Sequence, residues 1–384
     1  MRCNPIRARS ILAGLFLATT CSVCLAQQAQ VPITSPEVSG EGNVTFRLRA
    51  PNAKSVKLAS AGDIPVIPFR GGLDMSKSPD GIFDITVESL DPGSYRYAFI
   101  VDGLTVLDPS NRSTSESNRN AWSLVDLPGS SFMDTTNVPH GAVSGVHYFS
   151  AVLQRTRRMH VYTPPGYQRG DGAYPVFYLL HGAMDSDDSW SSVGRASFIL
   201  DNLIAAGTTE PMVVVMPDGH TEPFIMGSSA LSLDKFAREF ATDIKPFVES
   251  NYRVKTDRDD TAIGGLSMGG GHALEISMNA LDEYGYIGVF SSGVFSVLRD
   301  SSWQDKHSAT LKDKDIRKGL KIVWFATGSE DFLLETTKAT VSLLDGYGFD
   351  VEYEESTGGH TWINWRQYLR DFSPRLFKET AAEN

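Results

Sequence analysis

Residues 264–271 read GGLSMGGG, one serine among five glycines. The flanks decide how this stretch folds. The apolar TAI at 261–263 stands before it and reads as a strand. GHALEISMNAL, from residue 271, follows with helical spacing. Gly265 to Gly269 fit G-x-S-x-G, and strand–turn–helix is the context that motif requires. So tight a turn disfavours Cβ atoms beside the serine, which makes Gly265 and Gly269 steric requirements. Ser267 would then present its hydroxyl above a sheet, at a helix N-terminus that favours developing negative charge. The competing reading is a plain glycine turn. The bare pattern is common by chance, and its context favours the nucleophile.

Outward from the serine, apolar runs alternate with amphipathic stretches. YPVFYLLHG (174–182) and PMVVVMPDG (211–219) are continuous apolar runs, as expected of strands buried on both faces. TAIGG (261–265), YIGVFSSG (286–293), LKIVWFATG (320–328) and DVEYEES (350–356) follow. Helical stretches such as ASFILDNLIAAG and LLETTKATVSLLDGYG lie between them. This alternation predicts an α/β domain with a mostly parallel sheet wrapped by helices, over 145–380.

The first part of the chain has a different period. Val44, Phe46 and Leu48 alternate, as do Val56 and Leu58, then Phe83, Ile85 and Val87, then Tyr95, Tyr97 and Phe99. Turn signals such as Asp91-Pro92-Gly93 and Asp102-Gly103 separate them. A small all-β, immunoglobulin-like sandwich is expected over 43–128, with a flexible lead at 27–42 and a linker at 129–144.

Residues 1–26 read as a secretory signal: Arg2, Arg7 and Arg9, a short apolar core, and a small residue, Ala26, before the cut. The apolar core is too short to span a bilayer. All three cysteines, Cys3, Cys21 and Cys24, fall inside residues 1–26. The exported chain then lacks a disulfide framework, a thiolate metal site and a cysteine nucleophile. The 384-residue chain carries a net charge of −11, which argues against nucleic acid as a partner.

A serine hydroxyl needs a base and a group to orient that base. In this type of fold the order along the chain is serine, acid, histidine. Three histidines follow Ser267. His272 lies inside the next helix and points away. His307 sits in WQDKHSATLKDKD, read as a solvated surface. His360, in STGGHTW, follows the last strand and is the expected base. The acid should follow another strand end, where Glu330 and Asp331 stand, and Asp331 is preferred. One of the two carboxylates is free to cap the next helix. The expected oxyanion donors are the backbone N–H groups of Met268 and of Ala183, after His181-Gly182. His181 reads as a structural hydrogen-bonding residue. Asp185, Asp187 and Asp188 read as a loop or helix cap, since they lack the spacing of a calcium loop.

VPHGAVSGVHYFSAVLQRTRRMHVYTPPGY, LLHGAMDSDDSW, GGLSMGG, GSEDFLL and GGHTWINWRQYL together resemble carbohydrate esterase family 1. That family holds feruloyl and acetyl xylan esterases and is related to enterochelin-esterase-like enzymes. The resemblance covers about 139–380 and implies an α/β-hydrolase fold. It implies a Ser267–Asp331–His360 triad, an oxyanion hole from Ala183 and Met268, and no metal or cofactor. VTFRLRAPNAKSVKL, GIFDITVESLDPGSYRYAFIVDG and LDPSNR resemble the glycogen-binding module of carbohydrate-binding family 48.

The expected function is therefore a secreted serine esterase that removes feruloyl or acetyl groups from plant cell-wall polysaccharide such as xylan. Its expected partner is an acylated polysaccharide or oligosaccharide, with no stable membrane insertion after signal removal. Trp190, Trp303, Trp362 and Trp365 are aromatic candidates to stack on the substrate, Trp190 and Trp362 foremost, although core packing accounts for most of the four. Two other readings stand beside it. One is a related serine esterase or acyltransferase on another substrate, such as a siderophore-type ester. The other is a non-catalytic carbohydrate-binding protein, against which the ordered Ser, acid and His weigh.

Overall fold

Strand Val176–Leu180 shows how the large sheet is built. Val176, Tyr178 and Leu180 enter one apolar core, while Phe177 and Leu179 enter another on the opposite face. All five are buried, because helices cover both sides. A computed structural model describes residues 32–223 and 233–378 of the chain. The expected signal at 1–26 lies outside the described residues.

The large sheet has eight strands. In spatial order they are Ala142–Ser150, Arg155–Thr163, Val213–Pro217, Val176–Leu180, Thr261–Leu266, Tyr286–Phe290, Ile322–Gly328 and Val351–Ser356. The first two pair antiparallel, and Arg155–Thr163 also runs antiparallel to its other neighbour. The remaining six run parallel. On one face pack Phe236, Phe240, Leu274, Ile276 and Leu344. On the other pack Trp190, Ile199, Leu200, Trp362, Leu369 and Phe372. Each such side chain contributes about 1.5–3 kcal/mol by leaving water.

Six of these strands coincide with the apolar runs read from sequence. The antiparallel pair at the edge does not stand out in the sequence. Ala142–Ser150 is exposed along most of its length, and RTRRMHVYT carries three arginines, so neither has a clean buried run.

The strand order reverses at the middle. Val176–Leu180 has Val213–Pro217 on one side and Thr261–Leu266 on the other. Leu180 pairs with Gly265, so the loops after residues 180 and 266 leave the same edge side by side. A crevice at such a reversal, beyond the carboxyl ends of the strands, is where ligands bind in open α/β sheets.

The N-terminal part is all-β. One antiparallel sheet holds Glu37–Val38, Val44–Arg49, Ile82–Val87 and Ser76–Lys77. A second holds Leu73–Asp74, Val56–Ser60, Gly93–Val101, Ala121–Leu127 and Thr114–Glu116, with Leu104–Val106 beside Gly93–Val101. Val44, Phe46, Leu58, Phe83, Tyr97 and Phe99 share its core. Part of the lead read as flexible is pinned here. Ser35 Oγ donates to Asp108, and Glu37–Val38 pairs with Val44–Thr45.

From Thr34 onward the described residues belong to one compact unit. Buried arginines tie the all-β module to the large sheet. Arg96 bonds Asp185, and Arg366 donates to the Ser94 carbonyl.

Candidate active site

Ser267 sits between strand Thr261–Leu266 and helix Met268–Asn279 with φ 52° and ψ −117°. This conformation is costly for a residue with a Cβ and persists only where the surroundings enforce it. Here its N–H donates to the Phe290 carbonyl at 2.9 Å, and its own carbonyl accepts from Gly270 N–H at 3.0 Å. The glycines around it have a steric cause. A Cβ on Gly265 would stand 2.6 Å from the Leu180 carbonyl oxygen, and one on Gly269 would stand 2.4 Å from it. The serine is thus held up on a strained elbow, at the N-terminal end of a helix.

The structure brings Ser267, His360 and Asp331 together. His360 Nε2 lies 3.0 Å from Ser267 Oγ. Its Nδ1 lies 3.0 Å from both oxygens of Asp331. With Nδ1–H donating to the carboxylate, Nε2 is left to accept the serine proton. Asp331 also accepts from the Leu333 N–H at 2.8 Å, so a single carboxylate both orients the ring and caps the following turn. Burial works against its charge, but the hydrogen bond and charge of His360 bring its pKa below the ordinary carboxylate value. Glu330, the neighbouring carboxylate, is exposed.

The loop after Val176–Leu180 carries Gly182 and Ala183. His181 Nδ1–H donates to the Gly182 carbonyl at 2.8 Å, and Asp185 N–H donates to the same oxygen at 3.1 Å. His181 Nε2 lies 2.9 Å from the Gly219 nitrogen and 3.4 Å from Asp218 Oδ1. Burial opposes its charge, and the Asp218 carboxylate brings its pKa above the ordinary histidine value. The Gly182 carbonyl and the Ala183 N–H belong to one planar peptide and point opposite ways. Pinning the first therefore aims the second. Ala183 borders the same cleft as Ser267 and His360, and Met268 follows Ser267 directly.

That cleft measures about 830 Å³. One side consists of Phe332, Trp365 and the His360 loop, and the other is Ala61–Phe69 of the all-β module. Phe332 is 75% exposed and its ring lies 4.3 Å from that of His360. A larger groove of about 1090 Å³ runs past Pro175, Lys255 and Asp260. It opens at the other end of the strands, away from Ser267, and carries none of these groups.

Several sequence expectations change. Trp190, expected at the substrate, is fully buried; its Nε1–H donates to the Leu180 carbonyl and its ring packs edge-on to Trp362. Trp362 borders the cleft from beneath while being 1% exposed, and Trp365 is the indole nearest His360, at 5.0 Å. Trp303 packs on His307. His307 is not on a solvated surface. It is 4% exposed and bonds Glu275 of the elbow helix at 3.1 Å, because the charged stretch folds back over that helix. His272 is buried in the same helix, away from the serine. Asp185 and Asp187 are not loop caps alone; they bind Arg96, and Arg158 with His160. Asp188 accepts from Glu116 N–H. The contribution of 61–69 had no motif to announce it. The only signal was AGDIPVIPF itself, an apolar run with two prolines that leaves Val66 and Phe69 exposed.

Among the described residues no cluster of three or more His, Cys, Asp or Glu is arranged to hold a metal ion. No described helix is long and apolar enough to cross a membrane.

Residues 150–376 match the family described as putative esterase. An endo-1,4-beta-xylanase/feruloyl esterase of Xylanibacter ruminicola is 30% identical over 354 residues, 89% of this chain. This chain spans only 46% of that relative's length. A ferulic acid esterase of Anaeromyces mucronatus, solved with ferulic acid, superposes with a TM-score of 0.58 at 23% identity, covering 65% of this chain and 96% of its own. The enterobactin esterase of Shigella flexneri gives a TM-score of 0.60 at 18% identity, covering 86% and 92%. At those identities both structures speak to the fold, which is the α/β-hydrolase type. With more than half of its length matched by the family, the chain belongs to the putative esterases.

Proposed function

We propose that the protein is an exported serine esterase that removes acyl groups, feruloyl or acetyl, from plant polysaccharide such as xylan. One observation carries the reading: the unbroken hydrogen-bonded line from Ser267 Oγ through His360 to Asp331. In this reading His360 Nε2 takes the Ser267 proton as Oγ attacks the ester carbonyl. The Ala183 and Met268 N–H groups receive the oxyanion, assisted by the end of the elbow helix. His360 then gives that proton to the sugar oxygen as its bond to the acyl carbon breaks, releasing the sugar hydroxyl, and water repeats the sequence on the acyl-enzyme to release the acid. Asp331 keeps the imidazole in the correct tautomer and stabilises its charged form.

The xylan-linked feruloyl esterase of Xylanibacter ruminicola supports the substrate class. So does the lining of the cleft, in which Phe332, Trp365, Phe69 and Ile67 offer apolar surface suited to an aromatic acyl group. The same proposal takes the N-terminal module as an immunoglobulin-like sandwich of the family 48 type, supported by its two antiparallel sheets around one core. Export rests on the sequence of residues 1–26 alone.

The test is hydrolysis of p-nitrophenyl acetate, methyl ferulate and acetylated xylan by the purified protein. Ser267→Ala should lower the rate by at least about 10³-fold. Wild-type protein that hydrolyses none of the three would refute the reading. A rate on methyl ferulate above that on acetylated xylan identifies the acyl group as aromatic.

A further inference from the structure

The family match begins at residue 150, yet one wall of the cleft comes from before it. The link between the two halves is Arg96, on strand Gly93–Val101 of the all-β module. Arg96 is 3% exposed. Its Nε and one terminal nitrogen grip Asp63 at 2.8 and 3.1 Å, and its backbone N–H donates to the same carboxylate at 3.0 Å. Its other terminal nitrogen donates to Asp185 Oδ1 at 2.8 Å. The guanidinium also lies 5.9 Å from the ring of Trp362, two residues beyond His360.

Both carboxylates lead to the reacting atoms. Asp63 belongs to the turn Ala61–Phe69 that walls the cleft. That turn is held further by Ser60 Oγ, which donates to the Arg96 carbonyl and accepts from Ile64 N–H. Asp185 leads to the oxyanion side, because its N–H donates to the Gly182 carbonyl, in the peptide that presents Ala183 N–H. A second residue of the module reaches the same loop. Asn118 Nδ2 donates to the Ala183 carbonyl at 3.3 Å, and its N–H faces the Met184 carbonyl at 3.5 Å.

We infer that the all-β module is part of the reacting centre: Arg96 and Asn118 are positioning residues for the oxyanion loop, and Ala61–Phe69 is a substrate-facing wall that selects apolar acyl groups. This inference rests on the esterase reading. Burial opposes the charge of Arg96, and the two carboxylates more than offset it, so its pKa stays above the ordinary arginine value. Lysine does not replace such a residue, since a single ammonium lacks the planar fork that holds two carboxylates at once.

Steady-state kinetics on p-nitrophenyl acetate and methyl ferulate test it, with rates expressed per site titrated by a serine-directed phosphonate. Arg96→Lys and Asn118→Ala should lower kcat per titrated site about tenfold, with KM for the small ester changed less than kcat. Asp63→Asn releases the wall, and should raise KM for methyl ferulate about tenfold relative to KM for the acetate ester. A purely structural role would lower the titrated fraction and leave kcat per site and the substrate ratio as in wild type. That result, in variants that melt as cooperatively as wild type, overturns the inference. If Arg96→Lys does not fold, Asn118→Ala and Asp63→Asn decide the matter by the same two readouts. An active wild type with unaffected variants sinks this inference alone, whereas an inactive wild type sinks the esterase reading beneath it.

Discussion

Asp331 meets His360 with both of its oxygens, each 3.0 Å from Nδ1, while the neighbouring Glu330 stays in solvent. Sequence places both carboxylates at the same strand end, with Asp331 preferred. Backbone geometry separates them, because only residue 331 turns inward at the end of strand Ile322–Gly328. Asp331→Asn keeps the shape but offers the ring an amide, which favours the wrong tautomer. Its kcat should fall by about 10⁴-fold, and Glu330→Gln should stay within about twofold of wild type. Ester hydrolysis at neutral pH measures both, and the reverse pattern would reassign the acid.

Gly269 offers a test of the elbow itself. Gly269→Ala places a Cβ 2.4 Å from the Leu180 carbonyl, which is backbone and cannot swing aside. Overpacking of this kind costs about 1–3 kcal/mol. The thermal midpoint should drop, and kcat should drop further than stability explains, since the displaced turn carries Ser267. A variant with wild-type melting and wild-type turnover would mean that the turn is slack.

The buried histidines set the response to acid. Burial, with His181 and His220 nearby, pushes His272 down to about 3. Burial likewise pushes His220 down to about 4. Both fold as neutral rings, so below the ordinary value of 6.5 the unfolded chain binds protons that the folded chain refuses. Their contribution is present above pH 6.5 and is lost as pH falls toward the folded values. At pH 5 the loss is on the order of 2 kcal/mol for each histidine. Urea unfolding at pH 7 and pH 5 measures it. His272→Gln should remove about half of this difference, and an unchanged difference would clear His272 of the effect.

Ser267, His360 and the parallel core were legible because each leaves a local mark. Strands buried on both faces must be continuously apolar, and the elbow must have its glycines. Arg96 left the opposite mark. In GSYRYAFIV the residues Tyr95, Tyr97 and Phe99 alternate inward, so Arg96 reads as facing solvent. It does face away from the module's own core, but the large domain covers that side. Alternation reports which face a residue takes, not what comes to lie against it. His307 misled for the same reason, since its charged neighbours conceal a ring turned toward Glu275. Trp190 misled because an indole N–H finds a carbonyl as readily in a core as on a sugar.

Arg366, 1% exposed, donates to the Ser94 carbonyl across 272 positions of sequence. Chains are made from the N-terminus, and early domains ordinarily fold as they emerge. Here the central strand of the first module receives a buried partner that is made 272 residues after its own Ser94. A product that stops before residue 360 therefore lacks His360 and also the Arg366 bond that joins the module to the α/β domain. Nascent chains that end between Ser267 and helix Trp362–Phe372 carry the serine without the residues that complete the cleft around it.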